Sequence, residues 1–576
     1  MKGLGMSVRL ELVNYILLCC CFYATLMIFL DAFSIEGFNY VGPQLRRISE
    51  ALLFALPIFF LRKKRYVIPY VSLVVLYLLS IIWYYRNYGT LMPLASYLMV
   101  YNLKGLESSI IDSMKVNDII VIFPSAFYLL IYHHCIYPRR QDIGKYLIIP
   151  LALSLSFIVG MTLFSYIKIT QTEGDRNRFR ETPVRGLKQF GIIQYWISQV
   201  KAYHPLSSEE RRLAATLAEK YIHESKQHVM LDSVTSSPNL IVIIVESLCD
   251  WPLNQLVEGT EITPVINSIL RDSSTIYVPN VLPQVKDGRS SDAQLLINTG
   301  LLPINTGAVS ALYATNTYMS LPKALKQRGY YSASFICDDK DFWSQGTMSE
   351  SFGFDVLYDN LGVPLNPVKR SDELLFNRSV HILQEMPQPF YAQLVTLSMH
   401  KPYTQAVEES VFEDMSFRND EAKYYSILTH YTDKQLGLFF DTLKKNDLFQ
   451  KSIIVIVGDH DDCTYNKFEG REECALSDRF VPLIIVNAPR RPNRDFGIIG
   501  QVDIYPSLLD LMNVRSYDWK GLGHSIFRQP VEGAVYHTGE SIGQLNDSIT
   551  NVLFKRWDES DLLIRANAFA AYDTAQ

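Results

Sequence analysis

Three short stretches in the second half of the chain place chemistry-bearing residues where an α/β enzyme builds a site. They are Val245-Glu246-Ser247, Gly288-Arg289-Ser290-Ser291-Asp292 and Gly458-Asp459-His460. Glu246 and the Asp459-His460 pair each fall just past the carboxyl end of an expected buried strand, where open α/β sheets bind their ligands. Two carboxylates and an imidazole offer mixed oxygen and nitrogen ligation suited to Mn²⁺ or Zn²⁺. A serine hydroxyl among them is a nucleophile that metal coordination can activate without a histidine base. At a helix N-terminus, the dipole and the open N–H groups also favour a phosphate. From the residues alone, Ser290 and Ser291 share two tasks, one capping the helix and the other attacking.

Other residues fall at similar positions. His400, in Ser398-Met399-His400-Lys401-Pro402-Tyr403, follows another strand end, and it and Lys401 are expected to hold a phosphate or protonate a leaving group. Asp338 follows the strand 332–336, and Trp343 lies shortly after it; both are candidates to contact a polar headgroup. Asp461 and Asp462 make the loop after His460 acidic, so that it requires a cation or solvent.

The elements that must position these groups are read from apolar runs. Buried strands are expected at 240–245, 332–336, 391–396, 453–457 and 482–486, and helices at 292–299, 321–328, 421–443 and 504–512. The alternation implies α/β layers on a largely parallel sheet. Ahead of them, 192–202 and 209–226 read as amphipathic helices, the second capped by Ser207 or Ser208.

The first 170 residues have a different character. Five apolar segments, about 12–33, 46–61, 66–85, 118–137 and 145–167, read as membrane spans, the second short and interrupted by Pro57. Lys2 and Arg9, Arg62-Lys63-Lys64-Arg65, and Arg139, Arg140 and Lys145 all fall on one side if all five cross, and that side is then cytoplasmic. Arg46 and Arg47, at the other end of the second segment, run against this pattern. Odd parity puts everything after residue 170 outside the cytoplasm, and the first span is expected to be retained as an anchor. The stretch Leu91 to Leu103 is expected on the membrane surface. The domain plan is 1–169 membrane-spanning, 170–236 linker with amphipathic helices, 237–530 catalytic α/β domain, and 531–576 a segment completing or packing on it.

With 576 residues, the chain holds several domains, and a net charge of −5 gives no basic surface for nucleic acid. Cys249, Cys337, Cys463 and Cys474 lie in the expected outer part. An oxidising compartment permits disulfides there, and Cys463–Cys474 would close a short loop; four free thiols are the alternative.

Taken with the five spans, several motifs give the chain a resemblance to the lipoteichoic acid synthase family of the alkaline phosphatase and sulfatase superfamily. They are Val245-Glu246-Ser247, Thr263-Pro264, Gly288 to Ala293, Ser351 to Phe354, Met399 to Tyr403, Gly458-Asp459-His460 and Lys520 to His524. The resemblance implies a phosphoglycerol transferase whose nucleophile is Ser290, at a position the family fills with threonine. It implies Glu246, Ser290, Asp459 and His460 as ligands of one divalent metal ion, usually Mn²⁺, with Zn²⁺ or Mg²⁺ as alternatives. It likewise implies His400, Asp338 and Trp343 as substrate-binding residues. The donor implied is a phosphatidylglycerol-like membrane phospholipid, and the acceptor an envelope glycan or glycolipid; phosphoethanolamine transfer and phosphodiester hydrolysis are the alternatives. Two further positions depart from the family pattern: Gln345 stands where it has arginine, and Ile336 where it has histidine. Neither touches the metal or nucleophile positions. A sulfatase would need Pro and Arg after its nucleophile, whereas Ser290 is followed by Ser-Asp-Ala-Gln.

Overall fold

A computed structural model describes residues 2–33, 40–61, 63–88, 90–97, 107–133, 144–171, 182–226, 237–362, 371–403, 411–471, 473–490, 497–514, 517–528 and 533–572. The expectations for Arg62, Arg139 and Arg140, for the far part of Leu91 to Leu103 and for most of the polar segment after residue 170 lie outside these residues. The chain divides into two compact units, Met1–His204 and Pro205–Gln576.

The first unit is helical: α1 (Lys2–Asp31), α2 (Val41–Ala55), α3 (Lys64–Tyr88), α4 (Ile119–Ile131), α5 (Gly144–Gln171), α6 (Pro183–Phe190) and α7 (Ile192–Ala202) are its main elements. Among the described residues, three stretches are long and apolar enough to cross a membrane, Glu11–Asp31, Arg65–Tyr88 and Ile148–Gln171, each with a mean hydropathy of 2.1. They correspond to the first, third and fifth expected spans. The fourth is represented by the shorter apolar helix Val116–Ile131. The second is the 15-residue α2, which passes into a 3₁₀ turn at Leu56–Phe59, where Pro57 removes a backbone donor. Arg46 and Arg47 on α2 are buried within the unit. The Arg46 guanidinium donates to Ser165 Oγ at 2.7 Å and to the Gln189 carbonyl at 2.8 Å, so protein groups take up much of its hydrogen-bonding capacity.

The second unit opens with α8 (Ser208–Lys226). Ser207 caps it reciprocally with Glu210, the Ser207 N–H donating to Glu210 Oε2 at 2.7 Å and the Glu210 N–H to Ser207 Oγ at 3.2 Å. Ala218 and Ile222 of α8 join the main core, so the expected linker of 170–236 is shared between the units, α6 and α7 in the first and α8 in the second.

The sheet of this unit has eight strands: β1 (Asn239–Val245), β2 (Ile276–Leu282), β3 (Tyr331–Ile336), β4 (Val356–Tyr358), β5 (Phe390–Val395), β6 (Ser452–Gly458), β7 (Val481–Val486) and β8 (Ile499–Gly500), in the order β8-β2-β7-β6-β1-β5-β3-β4. Among the described strands, only β7 runs against the others. Every residue of β1 is buried, as a central strand covered on both faces demands. Its side chains alternate between two cores. Leu240, Val242 and Ile244 pack on the side that holds α9 (Ser290–Thr299); Ile241, Ile243 and Val245 pack on the side of α10 (Ser371–Glu385) and α11 (Asp420–Lys445). Trp557, Leu563 and Ile564 of α12 (Asp547–Arg565) belong to the first of these cores, where burial of each such side chain stabilises by about 1.5–3 kcal/mol.

Candidate metal and nucleophile site

Parallel pairing brings the expected ligands together. The register of β1 on β6 sets Val245 opposite Gly458, so Glu246 and Asp459 leave adjacent strands side by side. Gly458 is required there, because a Cβ would lie 2.0 Å from the Leu248 carbonyl oxygen. Glu246, Asp459 and His460 are all buried, and one ligand atom from each lies within 4.8 Å of the others. His460 Nε2 is 3.3 Å from Glu246 Oε1 and 3.4 Å from Asp459 Oδ2. Asp459 is steered by its other oxygen, which accepts the N–H groups of Ser247 and His460, both at 2.7 Å.

Ser290 completes the group. It opens α9, and its hydroxyl donates to Glu246 Oε2 at 3.0 Å. The preceding turn is held by Asp292, whose carboxylate accepts the N–H groups of Lys286 at 2.9 Å and Gly288 at 3.0 Å. Gly288 leaves that carboxylate room, since a Cβ would stand 2.2 Å from it. The two serines separate clearly. Ser291 is buried, donating to the Gly288 carbonyl at 2.7 Å and sharing a 3.0 Å hydrogen bond with Ser310, whereas Ser290 faces the carboxylates.

Electrostatics distinguish the two carboxylates. Burial opposes charge on Glu246, but the hydrogen bond and charge of His460 outweigh it and hold the group below the usual carboxylate range. Burial and the neighbouring Glu246 charge push Asp459 above the usual carboxylate range. Burial and Arg289 disfavour the His460 imidazolium, and the Asp459 and Glu246 carboxylates more than offset them. Asp459 Oδ2 is buried without a hydrogen-bond partner among the described residues. An orphaned buried carboxylate oxygen beside a second carboxylate, an imidazole and a hydroxyl suits a divalent cation, so the donor set fits a bound metal.

The other expected residues stand around this group. His400 lies past β5, with Nδ1 against the Lys401 carbonyl at 2.6 Å, close enough for its charge to act on Glu246. Asp338 lies past β3, and burial together with the charges of Glu246 and Asp339 pushes it up to about 6. Trp343 occupies a left-handed turn at φ +52°, further along the same loop. Gln345 accepts a hydrogen bond from Gln294 at 3.2 Å, and Gln294 lies one helical turn beyond Ser290 on α9. Lys401 differs from its expected phosphate role, because its ammonium is taken by Asp462 at 3.0 Å and Glu421 at 3.3 Å.

Sequence reasoning missed Arg289 and the source of the cations for the acidic loop. The Arg289 guanidinium donates to the Asp461 carbonyl at 3.0 Å and stands 3.0 Å from His460 Nδ1, which is itself 3.1 Å from that carbonyl. Arg479 pairs with Asp461 at 2.8 Å and Lys401 with Asp462, so side chains supply the charge that this loop requires. The signal was the pair Asp461-Asp462 itself, whose partners lie far off in sequence. Cys463 and Cys474 form a disulfide, while Cys249 and Cys337 are buried free thiols.

Comparisons with known proteins bear on this arrangement. A sulfatase family model matches residues 238–514. Lipoteichoic acid synthase 2 of Bacillus subtilis is 30% identical over 345 residues, covering 56% of this chain and 53% of the relative. Lipoteichoic acid synthase of Staphylococcus aureus is 24% identical over 516 residues, covering 83% of this chain and 77% of the relative. The first of these alignments thus spans about half of the relative's length. Among solved structures, the lipoteichoic acid synthase LtaP from Listeria monocytogenes has a TM-score of 0.50 at 22% identity, over 61% of this chain and 97% of that one, a likeness of fold.

Proposed function

We propose that this chain, which is similar to lipoteichoic acid synthases and is matched by a sulfatase family model over residues 238–514, is a membrane-bound, metal-dependent phosphotransferase of the alkaline phosphatase and sulfatase superfamily. Its five apolar segments cross the membrane and hold the α/β unit outside the cytoplasm, beside the lipid headgroups. The group moved is phosphoglycerol, taken from a phosphatidylglycerol-like phospholipid and passed to a hydroxyl of an envelope glycan or glycolipid. The observation that carries this reading is the Ser290 hydroxyl at the N-terminus of α9, 3.0 Å from a buried carboxylate of the Glu246, Asp459 and His460 group.

Glu246, Ser290, Asp459 and His460 would hold the cation, Mn²⁺ in this reading, with Zn²⁺ or Mg²⁺ as alternatives. Bound there, it supplies Lewis acidity that lowers the pKa of the serine hydroxyl. Ser290 Oγ loses its proton to solvent and attacks the headgroup phosphorus, an Oγ–P bond forms, and the bond from phosphorus to the diacylglycerol oxygen breaks. That oxygen leaves as diacylglycerol after taking a proton, in this reading from His400. The Nδ1 contact with the Lys401 carbonyl favours the other ring nitrogen, Nε2, for that exchange. The acceptor hydroxyl next gives its proton to His400 and attacks the phosphorus of the phosphoserine, the Oγ–P bond breaks, and Ser290 departs and takes a proton from solvent. Asp338 and Trp343 are read as headgroup contacts. The open N–H groups of α9 favour the phosphate charge throughout.

Gln345 supports a second reading. A neutral amide bonded to Gln294 exerts none of the repulsion that a guanidinium would exert on an ammonium headgroup, which favours phosphoethanolamine as the group moved. Proteoliposomes holding lipids labelled in different headgroups decide between them. Diacylglycerol released with labelled glycerol on the acceptor supports the first reading, and labelled ethanolamine the second. Label released to water indicates a hydrolase, and no diacylglycerol from any lipid overturns the transferase.

A further inference from the structure

The Asp462 carboxylate lies among the loops that carry the reacting groups without belonging to the metal-type cluster. One oxygen is 3.0 Å from the Lys401 ammonium and 3.8 Å from the Arg289 guanidinium. The other accepts the Tyr403 hydroxyl. Lys401 directly follows His400, and Arg289 directly precedes Ser290, its guanidinium 3.0 Å from His460 Nδ1. One buried carboxylate therefore ties the loop after β5 to the start of α9. Two cations and a hydroxyl saturate it, the condition under which a buried charge organises its surroundings rather than weakening them.

The chain on either side of Asp462 is anchored in turn. Asp461 is paired with Arg479 at 2.8 Å. On the other side, Cys463 is bonded to Cys474 across a sequence separation of 11. Cys463 sits at φ +48° and caps the helix Thr464–Phe468, so the crosslink fixes the backbone at the residue after Asp462. Lys467 of that helix pairs with Glu421, the second carboxylate on Lys401. Lys401 and Arg289 thus recur among the partners of this loop, beside Arg479 and Tyr403.

We propose that Asp462 is a positioning residue for the transfer reaction, and that the Cys463–Cys474 disulfide holds it in place. It acts by fixing Lys401, and with it the His400 loop, and by fixing Arg289, and with it the Ser290 turn. The proposal rests on the reading of Ser290 and His400 as reacting groups.

The test uses the full chain in lipid nanodiscs with three variants: Asp462→Asn, the double variant Cys463→Ser/Cys474→Ser, and their combination. Hydrogen–deuterium exchange reads positioning without reference to turnover. Faster exchange at 398–403 and 286–291 is expected in both Asp462→Asn and the double variant. On donor turnover, kcat is expected to fall about tenfold or more in Asp462→Asn, with KM and MnCl₂ affinity little changed, and the combined variant is expected to fall no further than the worse of its parents. Unchanged exchange in both segments overturns the positioning role, whatever the turnover. Changed exchange with unchanged kcat shows that the loop is organised by Asp462 but not used, and overturns its part in transfer. Multiplying effects in the combined variant overturn the link between disulfide and carboxylate. Absence of turnover in the parent protein counts against the function proposed above, while the exchange data still decide the positioning.

Discussion

Glu246 and Ser290, 44 residues apart in sequence, meet through a 3.0 Å hydrogen bond from the serine hydroxyl to a buried carboxylate oxygen. The contact sets the end of the central strand against the start of α9, and it distinguishes Ser290 from its neighbour. Ser290→Ala is expected to lower donor turnover by about 10³-fold or more. Ser291→Ala is expected to keep turnover while lowering stability by about 1 kcal/mol, through the lost bonds to Gly288 and Ser310. Paired assays and thermal melts check this; an active Ser290→Ala, or an inactive Ser291→Ala that melts like the parent, contradicts the assignment.

Removal of metal should be visible as stability. A cation bound by Glu246, Asp459 and His460 stabilises the fold by about 2.7 kcal/mol when present at a hundred times its dissociation constant. MnCl₂ is expected to raise the melting temperature of chelator-treated protein, and to leave that of Asp459→Ala unmoved. An equal rise in both places the ion elsewhere.

Asp250, which is not one of the proposed ligands, provides a pH dependence. Burial pushes its carboxyl up to about 7 despite a 2.7 Å hydrogen bond from the Tyr277 hydroxyl. The folded state keeps a proton that the unfolded chain gives up above about pH 4, so this contribution is full at low pH and is lost as pH rises through the folded value. Going from pH 5 to pH 8 is expected to cost the parent on the order of 1–3 kcal/mol through this group. Asp250→Asn retains an acceptor for Tyr277 and should show a correspondingly flatter profile; denaturant unfolding at the two pH values checks it, and parallel profiles contradict it.

Topology has its own test. A phosphatase reporter that folds only outside the cytoplasm is expected to be active when fused after Gln171 and inactive when fused after Lys64. Inactivity at Gln171 contradicts an outer catalytic unit, and activity at Lys64 contradicts a crossing by the second segment.

The strands that carry the site were legible because each is a short, wholly buried apolar run. Expected at 240–245 and 453–457, they are observed at Asn239–Val245 and Ser452–Gly458, bounded by polar residues that water or ligands must satisfy. Strand β2 was not legible: Pro279 interrupts it, its burial alternates irregularly, and its register on β7 shifts between Val278 and Val281. Helix α10 also escaped notice, although Leu375, Phe376, Val380 and Leu383 line one buried face. At the site, Glu246, Asp459 and His460 could be read from strand ends, whereas Arg289 could not. Its partners His460 and Asp461 lie about 170 residues further along, a distance only the folded sheet closes.

The central claim is that Ser290 carries the transferred group. Full-length protein is mixed with phosphatidylglycerol labelled in its headgroup, quenched without acceptor, digested, and the peptide spanning Ser290 and Ser291 sequenced by mass spectrometry. The account predicts a glycerol phosphate adduct on Ser290 that disappears when acceptor is supplied. Diacylglycerol production with no adduct, or an adduct on Ser291, contradicts it.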